Sequence, residues 1–436
     1  MVTIFFDLET SDLNPIGQIL NYAFVEVDSN FNIKSTLRDK VKISPLQLPT
    51  PEAILANKID VLEHQKEATD NELQAMRRIY NYLQSFTEHD AVRLIGYNSN
   101  SFDIHYLRTS LIRNGFNPYF GGNLSYGDVF HIVTKLSVSN EAFLNILPKK
   151  ESGKPSTSLE NVCRSLKLLD ESSVQDHESM SDALLTIELA KMLLSDYAID
   201  VRTYSSYEIT KRYTDFDAIE VYPYFDDLGN LVSDDNCILT LHAHNRNTTL
   251  WTNLKKFEYA PNRSCMLWRN KNTSPLFVKR YIKDDDIRLK CDAARETLSE
   301  ITIDNYWPEK YCDLEQSIYI LPINEIKSLT QAIHEKDLYL LKENKNKHAN
   351  VLYLRFLCNN VESEEINKIA SKYVDNRYLG KMRLDKGAST DDAVYHPTYE
   401  EFLEKVEKYC VDNNKLMLNL KQFYMNSKVA KILLSR

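Results

Sequence analysis

The sequence predicts a protein of α/β class (α+β overall) with three domains, covering residues 1–200, 201–300 and 301–436. Three observations lead to this prediction. Strand-like and helix-like patterns alternate over the first 200 residues, short β-like stretches follow, and helical periodicity returns after about residue 300. A chain of 436 residues is also long enough to bury two or three hydrophobic cores. We therefore expect an α/β domain with a mixed sheet, a small β domain and a C-terminal helical domain.

The first domain is expected to contain four strands and four helices. The strands are predicted at residues 2–6, 18–28, 31–43 and 93–97, and the helices at residues 71–86, 102–114, 159–168 and 182–194. The first strand is a short apolar run suited to the centre of a sheet. The helical segments repeat apolar residues three and four positions apart. Residues 148–157 are rich in Lys, Ser, Gly and Pro, which predicts an exposed loop.

The two later domains are predicted from shorter patterns. Strands are expected at residues 218–224, 237–242 and 248–254, which are separated by clusters of Asp, Asn and Gly. In the last domain, two groups of residues each share one helical face: Ile366, Ile369, Ala370 and Tyr373, and then Phe402, Val406, Tyr409 and Cys410.

The composition excludes several classes of protein. No apolar run approaches the roughly 20 residues that span a bilayer, so no membrane contact is expected. The N-terminus lacks the features of a secretory signal, and we expect a cytoplasmic protein. The seven cysteines are scattered without a Cys-x-x-Cys pair, which argues against a disulfide framework and a zinc finger. Because the net charge is -9, a nucleic-acid-binding surface would have to be local.

Two carboxylates close the first predicted strand. Asp7 and Glu9 alternate with apolar residues, and the period of a strand places them on one face. Like charges at this spacing are best tolerated when a divalent cation neutralises them. The alternative is a solvated strand end, which is about equally compatible with an isolated Asp-x-Glu.

Two further acidic residues lie at predicted helix starts. Asp103 follows the polar turn of residues 96–102, and Asp182 follows His177 by five positions. Either carboxylate could simply cap its helix and complement the helix dipole. His177 could likewise be an ordinary loop histidine.

Taken together, these residues resemble the active site of the DEDDh exonucleases, a family with a ribonuclease-H-like fold. That family has an Asp-x-Glu on its first strand, a middle Asp after an asparagine-containing turn, and a final His-x4-Asp. Asp7, Glu9, Asp103, His177 and Asp182 match all five positions in order. The resemblance implies a metal-dependent 3′–5′ exonuclease with these five residues in its active centre.

The resemblance extends to the exonuclease I family of bacterial enzymes, which degrade single-stranded DNA from the 3′ end. Residues 48–55, 96–103 and 180–191 are similar to segments of that family, and weaker similarity continues at residues 245–247 and 313–319. It implies an SH3-like middle domain and a helical C-terminal domain around a groove for single-stranded DNA with a free 3′ end. We also expect a monomer, and a single-strand-binding protein is a candidate partner.

The same resemblance assigns roles in catalysis. Two Mg²⁺ ions, for which Mn²⁺ can substitute, suit a site made of carboxylates. Asp7 is expected to bridge both ions. Glu9 and Asp182 hold the ion that activates water, and Asp103 supports the other ion. His177 is the expected general base, since an unperturbed histidine has a pKa of about 6.5.

Substrate contacts are expected in three places: at the end of the first strand, in the turn before Asp103, and in two basic regions. The candidates are Thr10, Ser11, Leu13, Tyr97, Asn98, Lys149, Lys154, Trp268 and Arg269. By resemblance, the first three residues grip the 3′ hydroxyl and wedge against the last base, although a plain strand-to-loop exit is an equal alternative. The family usually has a basic residue where this chain has Ser158, so Lys149, Lys150 or Lys154 is expected to supply that phosphate contact.

Residues 251–290 interleave basic and aromatic side chains, a pattern that suits the binding of a single strand. The residues are Trp251, Lys255, Lys256, Phe257, Tyr259, Arg263, Trp268, Arg269, Lys271, Phe277, Lys279, Arg280 and Tyr281. Cations would follow the phosphates and rings would stack on bases. The alternative is that most of the rings fill the core of the small domain while the cations face water.

Two other functions compete with a DNA exonuclease. The same five residues serve enzymes that act on RNA, and the choice depends on contacts with the 2′ position of the sugar. The long C-terminal extension favours DNA. A protein that only binds single strands or acts as a scaffold would have no need of the complete set of five.

Overall fold

The chain is described here by a computed structural model. It describes residues 1–13, 17–45, 47–151, 153–170, 178–204, 216–227, 230–233, 237–244, 248–270, 274–306, 360, 364, 399–411 and 414–434. The chain forms two compact units. One unit consists of Met1–Tyr126, Ser173–Ile187 and Asp313–Arg436, and the other of Gly127–Ser172 and Glu188–Cys312. The domain boundaries at residues 200 and 300 remain predictions.

A five-stranded mixed sheet lies in the N-terminal part of the chain. Its strands are β1 (Val2–Thr10), β2 (Ile19–Val27), β3 (Ile33–Lys40), β4 (Val92–Gly96) and β5 (Leu124–Asp128), in the order β3-β2-β1-β4-β5. The central strand β1 pairs antiparallel with β2 and parallel with β4. The predicted mixed α/β fold is confirmed, and all four predicted strands are present.

Eight α-helices are present in the described part of the chain before residue 200. They are α1 (Pro51–Asn57), α2 (Val61–Glu67), α3 (Glu72–Thr87), α4 (Asp103–Arg113), α5 (Val129–Ser139), α6 (Glu141–Ile146), α7 (Leu159–Ser165) and α8 (Ser179–Tyr197). The four predicted helices correspond to α3, α4, α7 and α8. Helices α5 and α6 were not predicted. The short helices α1 and α2 were also not predicted, because seven residues show little periodicity. Local caps begin them: Thr50 accepts a hydrogen bond from Ala53 N–H, and Asp60 accepts from Leu62 N–H.

The core of the first unit determines which face of β1 remains polar. Ile4, Phe6 and Leu8 are buried in one cluster with residues of α3 and α4, including Ile79 and Leu107. Each apolar side chain buried in this way contributes about 1.5–3 kcal/mol. Because side chains alternate along a strand, Asp7 and Glu9 point to the other face of the sheet.

The second unit contains a five-stranded antiparallel sheet. Its strands are β6 (Ala218–Val221), β9 (Ile238–His244), β10 (Thr248–Asn253), β11 (Met266–Asn270) and β12 (Val278–Ile282), in the order β11-β10-β9-β6-β12. A small hairpin, β7 (Tyr224–Phe225) and β8 (Leu231–Val232), and helices α9 (Leu254–Tyr259), α10 (Asp285–Thr297) and α11 (Ile303–Tyr306) complete its described residues after residue 200. The predicted β segments are present, and the SH3-like classification remains a prediction.

Three helices are described near the C-terminus, where helices were expected. They are α12 (Tyr399–Tyr409), α13 (Lys415–Asn426) and α14 (Lys428–Leu434). Phe402 and Val406 are buried on the predicted face of α12, whereas Tyr409 is 38% exposed at its end. The predicted face at residues 366–373 lies outside the described residues. None of the described helices is both long and apolar enough to cross a membrane.

Candidate active site

Asp7 and Glu9 lie in the last residues of β1, on the face opposite the Ile4–Phe6–Leu8 core. Both side chains are partly exposed, while Phe6 and Leu8 are buried. The prediction that strand periodicity brings the two carboxylates to one face agrees with this pattern. Strand β1 ends at Thr10 rather than at the predicted residue 6. Asp7 and Glu9 therefore lie within the sheet rather than in a loop after it.

Asp103 reaches the same strand from α4. The chain leaves β4 at Gly96 and turns tightly, so a Cβ on Gly96 would lie 2.6 Å from the Cβ of Ser99. This turn leads to α4, and Asp103, which is 5% exposed, accepts a hydrogen bond from Leu8 N–H at 3.2 Å. Helix α4 has no hydrogen bond from a capping side chain. Because its carboxylate bonds to β1, Asp103 does more than cap its own helix.

Asp182 comes from the first turn of α8, and β2 holds the beginning of that helix. Asn21 lies directly opposite Glu9 in the antiparallel pairing of β1 and β2. Its side-chain oxygen accepts a hydrogen bond from Ser179 N–H, at the first residue of α8, at 3.3 Å. Because residues directly opposite each other share a face of the sheet, this bond places the start of α8 beside Glu9.

These elements bring the acidic side chains together. Asp7, Glu9 and Asp182 each have a carboxylate oxygen within 4.8 Å of those of the other two. Burial raises the pKa of Asp7 well above the usual carboxyl range, and the charge of Asp103 is the next largest cause. Glu9 and Asp182 raise it further. The three carboxylates at this spacing and the nearby charge of Asp103 repel one another, and a divalent cation would relieve that repulsion.

His177, the predicted general base, lies outside the described residues. It precedes Glu178, the first described residue before α8. Its role remains a prediction that rests on the sequence motif.

The segment after Glu9 is firmly held. Thr10, Ser11 and Asp12 are buried, whereas Leu13 is 69% exposed. Asn57 donates a hydrogen bond to the carbonyl of Thr10 at 3.0 Å. A buried, well-bonded segment that ends in an exposed leucine is consistent with the predicted docking of a terminal nucleotide.

The remaining predicted contacts of the first unit lie in the turn between β4 and α4. Tyr97 is partly exposed and Asn98 is exposed. Asn98 has a φ of 60°, in the left-handed region that asparagine adopts more readily than most residues. This backbone geometry accounts for Asn98 without a substrate, so its contact with DNA remains a prediction.

The lysine-rich loop is exposed, as predicted, at its described residues 148–151 and 153–154, whereas Ser156 is buried. Lys149 and Lys154 both face solvent, and the ammonium of Lys154 lies 4.1 Å from the ring centroid of Phe225. Ser158 caps α7 by accepting a hydrogen bond from Asn161 N–H at 3.4 Å. Ser158 thus has a structural role, and the loop lysines remain the candidates for the phosphate contact.

Arg269 and Trp268 have internal roles in the second unit. Arg269 is 8% exposed, and its guanidinium lies 3.1 Å from a carboxylate oxygen of Asp227. The ring of Trp268 packs against a core cluster that includes Leu250. The buried guanidinium of Arg269 is therefore not presented to a DNA strand. Among the predicted substrate contacts, that of Arg269 has the least support from the structure.

Other residues of the basic and aromatic region divide between the core and the surface. Trp251 is fully buried and Phe277 is 8% exposed, as the core alternative expects. Lys279 and Arg280 both pair with Glu220. Tyr259 and Tyr281 keep exposed rings, at 79% and 47%. Lys271 lies outside the described residues.

The residues that support the site were not predicted from the sequence. Asn21, Asn57 and Tyr106 are buried polar side chains that bond to backbone groups far away in the sequence. The one local signal was Asn21, a polar residue between the apolar Leu20 and Tyr22 in β2. Buried amides usually have hydrogen-bond partners, but the sequence does not identify them.

Comparisons with known proteins agree with this site. Residues 4–190 match the RNase_T exonuclease family. The chain is similar in fold to E. coli Exonuclease I in complex with a dT13 oligonucleotide, with a TM-score of 0.67, 16% identity, and coverage of 99% of this chain and 100% of that chain. It is also similar to a moderately thermophilic Exonuclease I from Methylocaldum szegediense, with a TM-score of 0.68, 16% identity, and coverage of 99% of both chains. No curated protein matches the sequence.

The fold and the acidic site therefore define residues 4–190 as an exonuclease domain, which makes this protein a phosphodiester hydrolase. Beyond this domain, the fold of the chain is similar to that of Exonuclease I along nearly its whole length. The predicted resemblance is confirmed. Nucleases of this family depend on divalent metal ions, and the acidic cluster fits that requirement.

Proposed function

We propose that the chain is a 3′–5′ exodeoxyribonuclease that degrades single-stranded DNA to mononucleotides. The observation that carries this proposal is the convergence of Asp7, Glu9 and Asp182, with Asp103 bonded to the same strand. These residues are far apart in the sequence and are brought together by a strand and two helices. A scaffold protein would gain nothing from such electrostatic repulsion.

The donor set supports Mg²⁺ as the natural metal, with Mn²⁺ as a substitute. Asp7, Glu9 and Asp182 would provide hard carboxylate oxygens, which Mg²⁺ prefers, and Asp103 would complete the set. Two such ions, when bound, would lower the pKa of a bound water and stabilise the negative charge that develops on the leaving oxygen.

The side chains of this protein would then perform three tasks. His177 accepts the proton of the water that attacks the terminal phosphodiester. The four carboxylates hold the reacting groups in a fixed geometry, because β1, α4 and α8 are anchored to one another through Leu8 and Asn21. The 3′ oxygen of the preceding nucleotide leaves, and the strand becomes one nucleotide shorter.

Single-stranded DNA is the substrate that the neighbours in fold favour. E. coli Exonuclease I was seen with a dT13 oligonucleotide and with other oligodeoxynucleotides. The exposed Leu13, four residues after Glu9 in the chain, offers an apolar surface to a terminal base. A monomer and a single-strand-binding protein as partner remain predictions.

The test is hydrolysis of a single-stranded oligodeoxynucleotide in Mg²⁺, labelled at either end. The 3′ label should appear at once as a mononucleotide, and the 5′-labelled strand should shorten stepwise. Asp182→Asn should abolish both the release of the 3′ label and the shortening of the 5′-labelled strand. Asp284→Asn is the matched control, since Asp284 caps α10 and asparagine caps equally well.

Duplex DNA and RNA of the same sequence complete the test. Slower cleavage of both is expected. If RNA is cleaved at the same rate, the substrate is both DNA and RNA rather than DNA alone. Discrimination between them depends on the 2′ hydroxyl of the sugar. Release from the 5′ end, or no release at all, would contradict the proposal.

A further inference from the structure

The backbone carbonyls of the segment Thr10–Asp12 are all held by hydrogen bonds. Asn57 Nδ2 donates to Thr10 O at 3.0 Å, and Thr50 N–H donates to Ser11 O at 2.8 Å. Thr10 Oγ1 donates to Asp12 O at 3.0 Å, and the hydroxyl of Tyr106 also donates to Asp12 O. Because buried carbonyls need partners, these bonds fix the path of the chain from Glu9 to the exposed Leu13.

One of these bonds leads to the C-terminus. Thr50 N–H and Pro49 C=O belong to the same peptide group. The hydroxyl of Tyr424, in α13, donates to Pro49 O. A single peptide group therefore connects Tyr424 with Ser11 O. Hydrogen bonds in series polarise one another, so each of these two strengthens the other.

The C-terminal helices are docked on α1 and α2 around this connection. Asn419 donates to Asp60, the capping residue of α2, at 2.7 Å. Lys405 forms an ion pair with Glu52 of α1 at 2.8 Å. Tyr424 itself is fully buried. Burial raises the pKa of its hydroxyl, and the charges of Glu52 and Asp12 raise it further, so the hydroxyl stays protonated and remains a donor.

We propose that Tyr424 is a positioning residue, through which the C-terminal helices fix the segment Thr10–Leu13 for the terminal nucleotide. This inference rests on the proposed function. The hydroxyl acts on the segment through the Pro49–Thr50 peptide, so its loss should weaken nucleotide docking more than the chemical step at the carboxylates.

The test compares Tyr424→Phe with Tyr399→Phe in the full-length protein, with oligothymidylate as substrate. Phenylalanine at 424 keeps the edge-to-face ring packing on Phe402. Tyr399→Phe is the matched control, because it removes a buried hydroxyl that donates to Tyr424 O at 3.1 Å and leaves the Pro49 bond intact. We expect KM to rise about fivefold in Tyr424→Phe, the usual effect of one buried hydrogen bond, with kcat within about twofold. Tyr399→Phe should leave KM unchanged.

A second variant tests the inference from the other side. Tyr106→Phe removes a bond to Asp12 O, so it should raise KM as well, and the double variant with Tyr424→Phe should show less than the product of the two effects. An unchanged KM in Tyr424→Phe, or equal changes in Tyr424→Phe and Tyr399→Phe, would overturn the proposal. If Tyr424→Phe does not fold, an unchanged KM in Tyr106→Phe would overturn it. Inactivity of the unmodified protein would instead overturn the proposed function.

Discussion

Asp103 lies at the first position of a helix, where a carboxylate usually stabilises the helix end, yet it accepts a hydrogen bond from Leu8 N–H in β1. At the scale of single residues, the site is built from side chains that reach beyond their own element. Burial and three neighbouring carboxylates all raise the pKa of Asp7. Functional sites commonly carry this kind of destabilisation.

Replacing Asp7 should therefore stabilise the protein when no metal is present. A raised pKa in the folded state means that ionised Asp7 lowers the free energy of unfolding at pH values above its unfolded pKa. Asp7→Asn should raise that free energy by on the order of 1 kcal/mol at neutral pH in EDTA. Thermal unfolding measures the difference. Added Mg²⁺ should stabilise the unmodified protein more than the variant, and a variant less stable in EDTA would contradict this account.

His177 is predicted to act on a proton rather than on binding. His177→Ala should slow cleavage by roughly 100-fold to 10,000-fold, the usual contribution of a general base. Binding of oligothymidylate without metal should change little. Single-turnover cleavage and a binding titration separate the two effects. An unchanged single-turnover rate would remove His177 from the mechanism.

At the scale of elements, the site depends on how β2, α4 and α8 are held around β1. Asn21 of β2, opposite Glu9, holds the start of α8 through Ser179 N–H. Asn21 is 6% exposed. Without it, a buried N–H at the beginning of α8 would lose its partner, and the helix that carries Asp182 would be free to shift.

Asn21→Ala should lower both stability and kcat. Leaving a buried donor without a partner costs about 1–3 kcal/mol, and a small shift of Asp182 reduces catalysis by about 10-fold to 100-fold. Asn71→Ala is the matched control: it removes the capping box of α3, costs about 1 kcal/mol, and does not touch the site. Equal kcat values for the two variants would show that Asn21 supports only the fold.

The sequence predicted the elements whose patterns are local and long. The strand β1 and the helices α3 and α8 show clear periodicity, and the five motif residues are spaced as in a known family. The short helices α1 and α2 were missed because they begin at caps rather than from an amphipathic pattern. The bonds of Asn21, Asn57 and Tyr424 were beyond prediction, because each joins residues that only the folded chain brings together.

At the scale of the whole molecule, the proposed function requires the protein to bind an anionic DNA strand although its net charge is -9. Many cations of the β domain are already paired, such as Arg269 with Asp227 and Lys256 with Asp226. The loop lysines Lys149 and Lys150 are exposed. Local positive charge of this kind, rather than the overall charge, is what a strand would contact.

The double variant Lys149→Ala/Lys150→Ala should weaken strand binding and make it less sensitive to salt. The logarithm of the binding constant falls linearly with the logarithm of the salt concentration. Each lost phosphate contact makes this slope less steep by about 0.7, so two contacts account for about 1.4. Lys191→Ala/Lys290→Ala removes the same charge from two exposed lysines that pair with Glu188 and Glu258. The same slope in both double variants would exclude the loop as a phosphate contact.

The central claim is that carboxylates from β1, α4 and α8 form one site for divalent cations. Mn²⁺ binding, followed by electron paramagnetic resonance of the full-length protein, tests it most directly. We predict that the unmodified protein binds two ions, that Asp7→Asn loses both at the same concentrations, and that Asp284→Asn binds as the unmodified protein does. Equal Mn²⁺ binding in the unmodified protein and in Asp7→Asn would contradict the account.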